Sequence, residues 1–137
     1  MRIAIVGPCS SGKSVLTTEL RQLGYEVRQP AQEHSYVADM WRRLTQPDLL
    51  IYLDVDYQSA RTRRPKTTTP QRLAEQHERL NHARQHCDFY LDTSGLTSVE
   101  VKTAVLQFLQ ASAGMGQGQD QLSAKPTSKH SRPQFLL

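Results

Sequence analysis

The sequence predicts an α/β fold: an open parallel sheet of about four strands with helices on both faces. Short apolar, β-branched runs alternate along the chain with longer segments of helical period. Two of those runs, Ile3 to Val6 and Leu49 to Leu53, are apolar without interruption, the pattern of parallel strands buried on both faces. From Gly114 onward the periodicity stops in a Gly-, Gln- and Ser-rich stretch. The 137-residue chain therefore divides into one small domain over 1–112 and a low-complexity tail over 113–137, expected to be flexible.

The first strand, residues 2–6 (RIAIV), ends at Gly7-Pro8. Ser14 to Leu23 spaces Val15, Leu16, Leu20 and Leu23 as a helix does, and Gly24 suits its C-terminal end. Tyr25 to Gln29 reads as a short second strand stopped by Pro30. In AQEHSYVADMWRRLTQ the residues Val37, Met40, Trp41 and Leu44 recur at helical intervals, with Ser35 available as N-cap. DLLIYLDVD is the strongest strand signal. Tyr57 to Arg64 reads as a short helix and PKTTTP as a loop; Pro70 then opens a helix running to about His86. DFYLD (88–92) is the last strand. Ser98 is read as the cap of a final helix whose Val101, Val105, Leu106, Phe108 and Leu109 face inward.

Composition removes several classes of function. The longest apolar runs are too short to span a bilayer, and the N-terminal run is too brief for a signal peptide. Two cysteines, Cys9 and Cys87, make no disulfide framework. A reduced, soluble, cytoplasmic protein is expected, without membrane contact. Lys and Arg number 17 against 13 Asp and Glu, a net charge of +4. The densest basic cluster, Arg61, Arg63, Arg64 and Lys66, has no interleaved aromatic, so small phosphorylated ligands are expected rather than nucleic acid. A body of this size with an exposed sheet edge also admits a homodimer.

The chemical signal is Gly7-Pro8-Cys9-Ser10-Ser11-Gly12-Lys13-Ser14, a complete GxxxxGK[ST] match between a strand and a helix. Such a loop turns successive N–H groups around an anion at the positive end of a helix dipole. Gly7 and Gly12 supply backbone angles other residues resist. Cys9, Ser10, Ser11 and Val15 complete the candidate binding loop. Lys13 is expected to reach the β- and γ-phosphates, and the Ser14 hydroxyl to ligate Mg²⁺. Lys13 is also expected to be exposed enough for its removal to cost little stability. The blander alternative is a Gly-Ser loop with a solvated lysine.

With that loop, PDLLIYLDVDYQSARTRRP and CDFYLDTSGLTSVEVKTAVLQFL resemble the small P-loop kinases: nucleoside and nucleotide kinases, and relatives such as shikimate and dephospho-coenzyme A kinases. The resemblance spans residues 1 to about 110 and implies a reduced three-layer P-loop NTPase fold. It implies an ATP-dependent transfer to a small-molecule acceptor. An arginine-bearing lid, here Arg61 to Thr69, would close over the phosphate. Thr93 and Ser94 would border the adenine. The NKxD guanine-reading pattern of GTPases is absent, so ATP is expected rather than GTP.

Arg61 and Arg64, three residues apart, share one face of a helix and are the lid candidates, with Arg63 displaced from them. A solvated helix end is the alternative. By resemblance to deoxynucleoside kinases, Glu33 is the candidate general base and Trp41 a pocket wall. Glu33 also reads as an ordinary first-turn residue, and Trp41 as core. Asp54, after a hydrophobic run, is the candidate Mg²⁺-shell carboxylate, with Asp56 a weaker one. The strand that usually bears this carboxylate in the resembling kinases is missing here. That leaves a catalytically reduced ATPase or a nucleotide-dependent regulator as the alternative function. His82, His86, Cys87 and Asp88 form a weaker metal-binding pattern, and His34 reads as structural.

Overall fold

Ile3, Ala4, Ile5 and Val6 have no solvent exposure, because their strand lies between two others and between two helical layers. The computed structural model describes residues 1–117. Strands β1 (Arg2–Val6), β2 (Glu26–Arg28), β3 (Leu49–Asp54) and β4 (Phe89–Asp92) form one sheet in the order β2-β1-β3-β4. All neighbouring strands are parallel, with Ile5 opposite Ile51 and Ile51 opposite Phe89. The expected four-strand α/β sheet is present.

Alternation along β1 feeds the two faces separately. Ile3 and Ile5 pack with Leu16 and Leu20 of α1 (Lys13–Gln22) and with Val101, Val105 and Leu109 of α6 (Ser98–Gln117). Ala4 and Val6 pack with Trp41 of α2 (Met40–Thr45), and with Leu80 and Ala83 at α5 (Asn81–His86). Each large aliphatic group so buried contributes about 1.5–3 kcal/mol of transfer free energy. Helices therefore lie on both faces. None of the described helices is long and apolar enough to cross a membrane.

The structure differs from the sequence reading in four places. Residues 32–46 are not one helix: a 3₁₀ turn (Gln32–His34) is followed by irregular chain, and the helix begins only at Met40. The cause is Gln32, which is wholly buried. Its carboxamide accepts from Trp41 N (2.8 Å) and donates to Val37 O (2.8 Å), so the segment between is held as a loop. Val37 and Leu44 are consequently exposed, and Ser35 caps nothing but its own turn, accepting from Val37 N. Trp41 is core, not pocket wall.

The helix expected from Pro70 to about His86 breaks at Leu80 into α4 (Pro70–Arg79) and α5. Leu80 is fully buried, and its N–H bonds both Gln76 O and His77 O at the turn. Thr97, not Ser98, caps α6: Thr97 N donates to Glu100 Oε1 and Glu100 N to Thr97 Oγ1, a reciprocal capping box. Finally, α6 continues to Gln117, past the boundary expected at residue 112. The rest of the tail, 118–137, lies outside the described residues.

The strand order changes direction about β1: the chain turns to β2 on one side and crosses to β3 on the other. Ligand crevices of open α/β sheets form at the carboxyl ends of strands flanking such a point. Gly7 stands there. A Cβ on Gly7 would lie 1.9 Å from Leu53 O, a backbone atom that cannot move without parting β1 from β3. Gly7→Ala is expected to cost about 3 kcal/mol. Gly12→Ala, where the φ of 95° is strained but nothing lies within 4 Å, is expected to cost about 1–2 kcal/mol. Urea denaturation of the two variants checks the order; equal losses would refute the close approach as the constraint.

Candidate functional site

Residues 7–14 leave β1, turn, and open α1. Ser11 N bonds Pro8 O (3.2 Å), Ser10 takes a φ of 72°, and left-handed Gly12 sets the helix start. The positive φ at Ser10 carries no signal in the sequence, since serine does not favour it. The loop folds inward around Lys13, which is buried rather than exposed. Its Nζ donates to Gly7 O (2.7 Å) and Pro8 O (2.9 Å) and pairs with Glu33 Oε2 (3.1 Å). An ammonium has three donors, and all three are used. Ser10 Oγ and Ser11 Oγ are buried beside it without a hydrogen-bond partner.

Glu33 is thus brought to the loop by the 3₁₀ turn that follows β2. Its other oxygen, Oε1, is buried and unpartnered. A cavity of about 370 Å³ runs from Cys9, Gly12, Lys13 and Ser14 to Gln29, Glu33, His34 and Arg64. On the other side of the loop, a cavity of about 290 Å³ is bounded by Ser10, Ser11, Gly12, Val15, Glu19, Arg63, Arg64, Thr93 and Leu96. Arg64 lines both.

Arg61 does not join them. It lines a separate depression with Tyr57, Gln58, Thr62 and Pro65. The inward face of α3 (Tyr57–Arg63) is set by its buried residue, Ala60, and the positions three and four further on are Arg63 and Arg64. Arg63, which the sequence reading set aside, donates to Ser10 O (2.6 Å) and Thr93 O (2.9 Å) and ties α3 to the loop. Thr93 is buried, with Oγ1 3.0 Å from Ser11 O and 2.9 Å from Asp54 O. Ser94 Oγ accepts from Asp56 N (2.7 Å), while the Asp56 carboxylate caps α3 through Ser59 N.

Asp54 and Ser14 are engaged by different partners. Ser14 Oγ is exposed at the mouth of the larger cavity and accepts from Gln29 Nε2 (3.2 Å). The Asp54 carboxylate is engaged elsewhere: Oδ1 lies 2.7 Å from His77 Nε2 and accepts from Val55 N, and Oδ2 accepts from Tyr90 OH (2.6 Å). Its network continues to Tyr52, which stacks on Tyr90. Burial pushes both phenols well up from their ordinary value. No sequence signal joined His77 and Tyr90 to Asp54, since each sits on a different element.

Helix α4 also reaches the loop and its surroundings. Gln76 Oε1 accepts from Cys9 N (2.9 Å) and its Nε2 donates to Cys9 Sγ (3.5 Å). Arg79 donates to Glu33 O (3.3 Å). Among the described residues, the one cluster of metal-capable side chains is Cys9, Glu33 and His34. His82 and His86 instead stack on each other, with His82 Nδ1 accepting from Trp41 Nε1.

No protein-family model matches the chain and no curated protein matches it.

Burial opposes ionisation of Asp54, but the hydrogen bonds from His77, Tyr90 and Val55 outweigh it and hold the carboxyl below its ordinary range. A depressed folded value stabilises the fold above the ordinary carboxyl pKa of about 3.9, and that contribution is lost as pH falls through the folded value. Stability is therefore expected to decline below about pH 4. Asp54→Asn should flatten that decline while costing about 1–3 kcal/mol at neutral pH. Urea midpoints between pH 3 and 7 measure both; an equally steep acid decline in the variant would assign it to other carboxylates.

Proposed function

We propose that this chain is an ATP-binding P-loop protein acting as a kinase, transferring the γ-phosphate to a small-molecule acceptor. The observation that carries the reading is the buried Lys13 at the mouth of a loop with two orphaned serine hydroxyls. Buried hydroxyls without partners are costly, and phosphate oxygens are acceptors of the kind Ser10 and Ser11 lack. The start of α1, which has no side-chain cap, favours an anion at the same place. Glu19 Oε1, also buried and unpartnered beside the 290 Å³ cavity, suits an exocyclic amino group on the base.

The residues present fit Mg²⁺ in part. Ser14 Oγ would hold it at the loop mouth, where the ion would neutralise phosphate charge. Asp54 offers no free oxygen to it, because His77, Tyr90 and Val55 occupy both. Lys13 grips the loop carbonyls in the free protein; phosphate replaces part of that set, and Glu33 is released toward the acceptor side. There its carboxylate can accept a hydroxyl proton. Arg64, exposed between the two cavities, is the mobile guanidinium available to the transferring group. Arg63 acts by holding α3 in place.

A second reading is favoured by one specific feature: β2 pairs directly with β1, so no strand between them supplies a further carboxylate. On that reading the chain binds and slowly hydrolyses ATP, and acts through a partner. Labelled ATP offered with nucleosides, nucleotides and small hydroxy acids separates the two. Transfer to an acceptor supports the kinase; binding without transfer supports the regulator.

Lys13→Ala is expected to weaken ATP binding about 10- to 150-fold, the worth of a charge-assisted contact of roughly 1.5–3 kcal/mol. Because Lys13 is buried, the same change leaves Glu33 without its partner and is expected to cost about 1–3 kcal/mol of stability. The double variant Lys13→Ala/Glu33→Gln should recover much of that stability but none of the affinity. Ser14→Ala should weaken binding mainly when Mg²⁺ is present. Calorimetric ATP titrations with and without Mg²⁺ decide; undiminished binding by Lys13→Ala overturns the loop's assigned role.

A further inference from the structure

Cys9, Glu33 and His34 present a thiol, a carboxylate and an imidazole to one point beside the loop, with their ligand atoms all within 4.8 Å of one another. Cys9 Sγ lies 3.5 Å from His34 Nε2, and His34 Nε2 lies 3.9 Å from Glu33 Oε2. Ligands of one tetrahedral zinc, at about 2.0–2.3 Å from the ion, stand roughly 3.4–3.6 Å apart. The sulfur and nitrogen are already at that spacing. Glu33 Oε2, which also pairs with Lys13, must approach the imidazole by about half an ångström, a small movement for a glutamate stem. A second observation points the same way. Glu33 Oε1 is buried and has no hydrogen-bond partner, although the side chain is only 8 % exposed. Lys13 holds the other oxygen. An orphaned, buried carboxylate oxygen is expensive, and a cation held by the same carboxylate lowers that cost.

The surrounding chain fixes two of the three ligands and leaves the third free to swing. Gln76 clasps Cys9 through both its N–H and its sulfur. Glu33 is set by the 3₁₀ turn that buried Gln32 anchors. His34 is exposed, so its ring can close onto an ion that arrives from solvent. The donor set is soft and mixed: thiolate and imidazole suit zinc-like transition metals and not Mg²⁺.

We propose that Cys9 Sγ, the Glu33 carboxylate and His34 Nε2 bind one zinc-class divalent cation tetrahedrally. The fourth position is left to water or to a ligand oxygen in the 370 Å³ cavity. Coordination uses the thiolate, so binding to the thiol form releases its proton to solvent. Two anionic ligands offset the charge of the ion, and the Lys13 ammonium remains on Glu33 beside them. This site shares Glu33 and the 370 Å³ cavity with the ATP reading but rests on the Cys9–His34–Glu33 spacing, and metal binding is read separately from ATP binding.

The test uses the full-length untagged chain, with Co²⁺ as the spectroscopic probe and Zn²⁺ as competitor. One equivalent of Co²⁺ is expected to give tetrahedral d–d absorption and a thiolate-to-cobalt charge-transfer band, both erased by Zn²⁺. Cys9→Ser should abolish the charge-transfer band. His34→Gln, at an exposed position that leaves folding intact by circular dichroism, should weaken Zn²⁺ binding by roughly 10- to 100-fold or more. His86→Gln, at the stacked pair on α5, should change nothing. The proposal is overturned if no tetrahedral cobalt spectrum appears. It also falls if the charge-transfer band survives in Cys9→Ser, which would place the ligand at Cys87, or if His34→Gln binds Zn²⁺ as tightly as the parent.

Discussion

One ammonium group holds the working end of this protein together. Lys13 Nζ closes the loop on itself through Gly7 O and Pro8 O, and joins it to the chain after β2 through Glu33. Burying that charge is tolerable only because every donor has a partner. The same arrangement leaves Ser10 and Ser11 facing inward with nothing to bond. The loop is satisfied at its lysine and unsatisfied at its serines. Gly7, pressed against Leu53 O, adds the steric half of the constraint: the loop can leave β1 only along this path.

The sheet supplies the rest of the positioning. Parallel order aligns the carboxyl ends of β1, β3 and β4, so the loop, Asp54 and Thr93 arrive at one edge although they are far apart in sequence. Thr93 is the fastener there, bridging the loop backbone and the end of β3. Arg63 fastens α3 over the same joint. These are structural duties. Thr93, expected at the ligand, also holds backbone to backbone.

What was legible in the sequence follows from how local each signal is. The four strands and α1 were set by apolar runs and by Gly and Pro stops, and they appear within a residue or two of where those stops fall. The 3₁₀ turn and loop before α2 were not legible, because their cause is the carboxamide of Gln32 bonding residues five and nine positions on. The break at Leu80 has no Gly or Pro to announce it. Arg63 was passed over because helical phase has meaning only once the buried residue, Ala60, is known. Glu33 was placed at the site only through family resemblance, and its pairing with Lys13 was not foreseen, since spacing alone does not bring those residues together. Thr97 could have been read, since Thr-x-x-Glu is a capping box and Glu100 stands three residues on.

Three neighbouring positions on α4 reach three different strand ends. Gln76 grips Cys9 after β1, His77 meets Asp54 at the end of β3, and Arg79 bonds Glu33 O after β2. Each bond ties α4 to a different strand end, so a displacement of the whole helix strains all three. Mechanically, α4 is a strap pinned at three points along the carboxyl end of the sheet, and its position is set jointly by the chain after β1, β2 and β3.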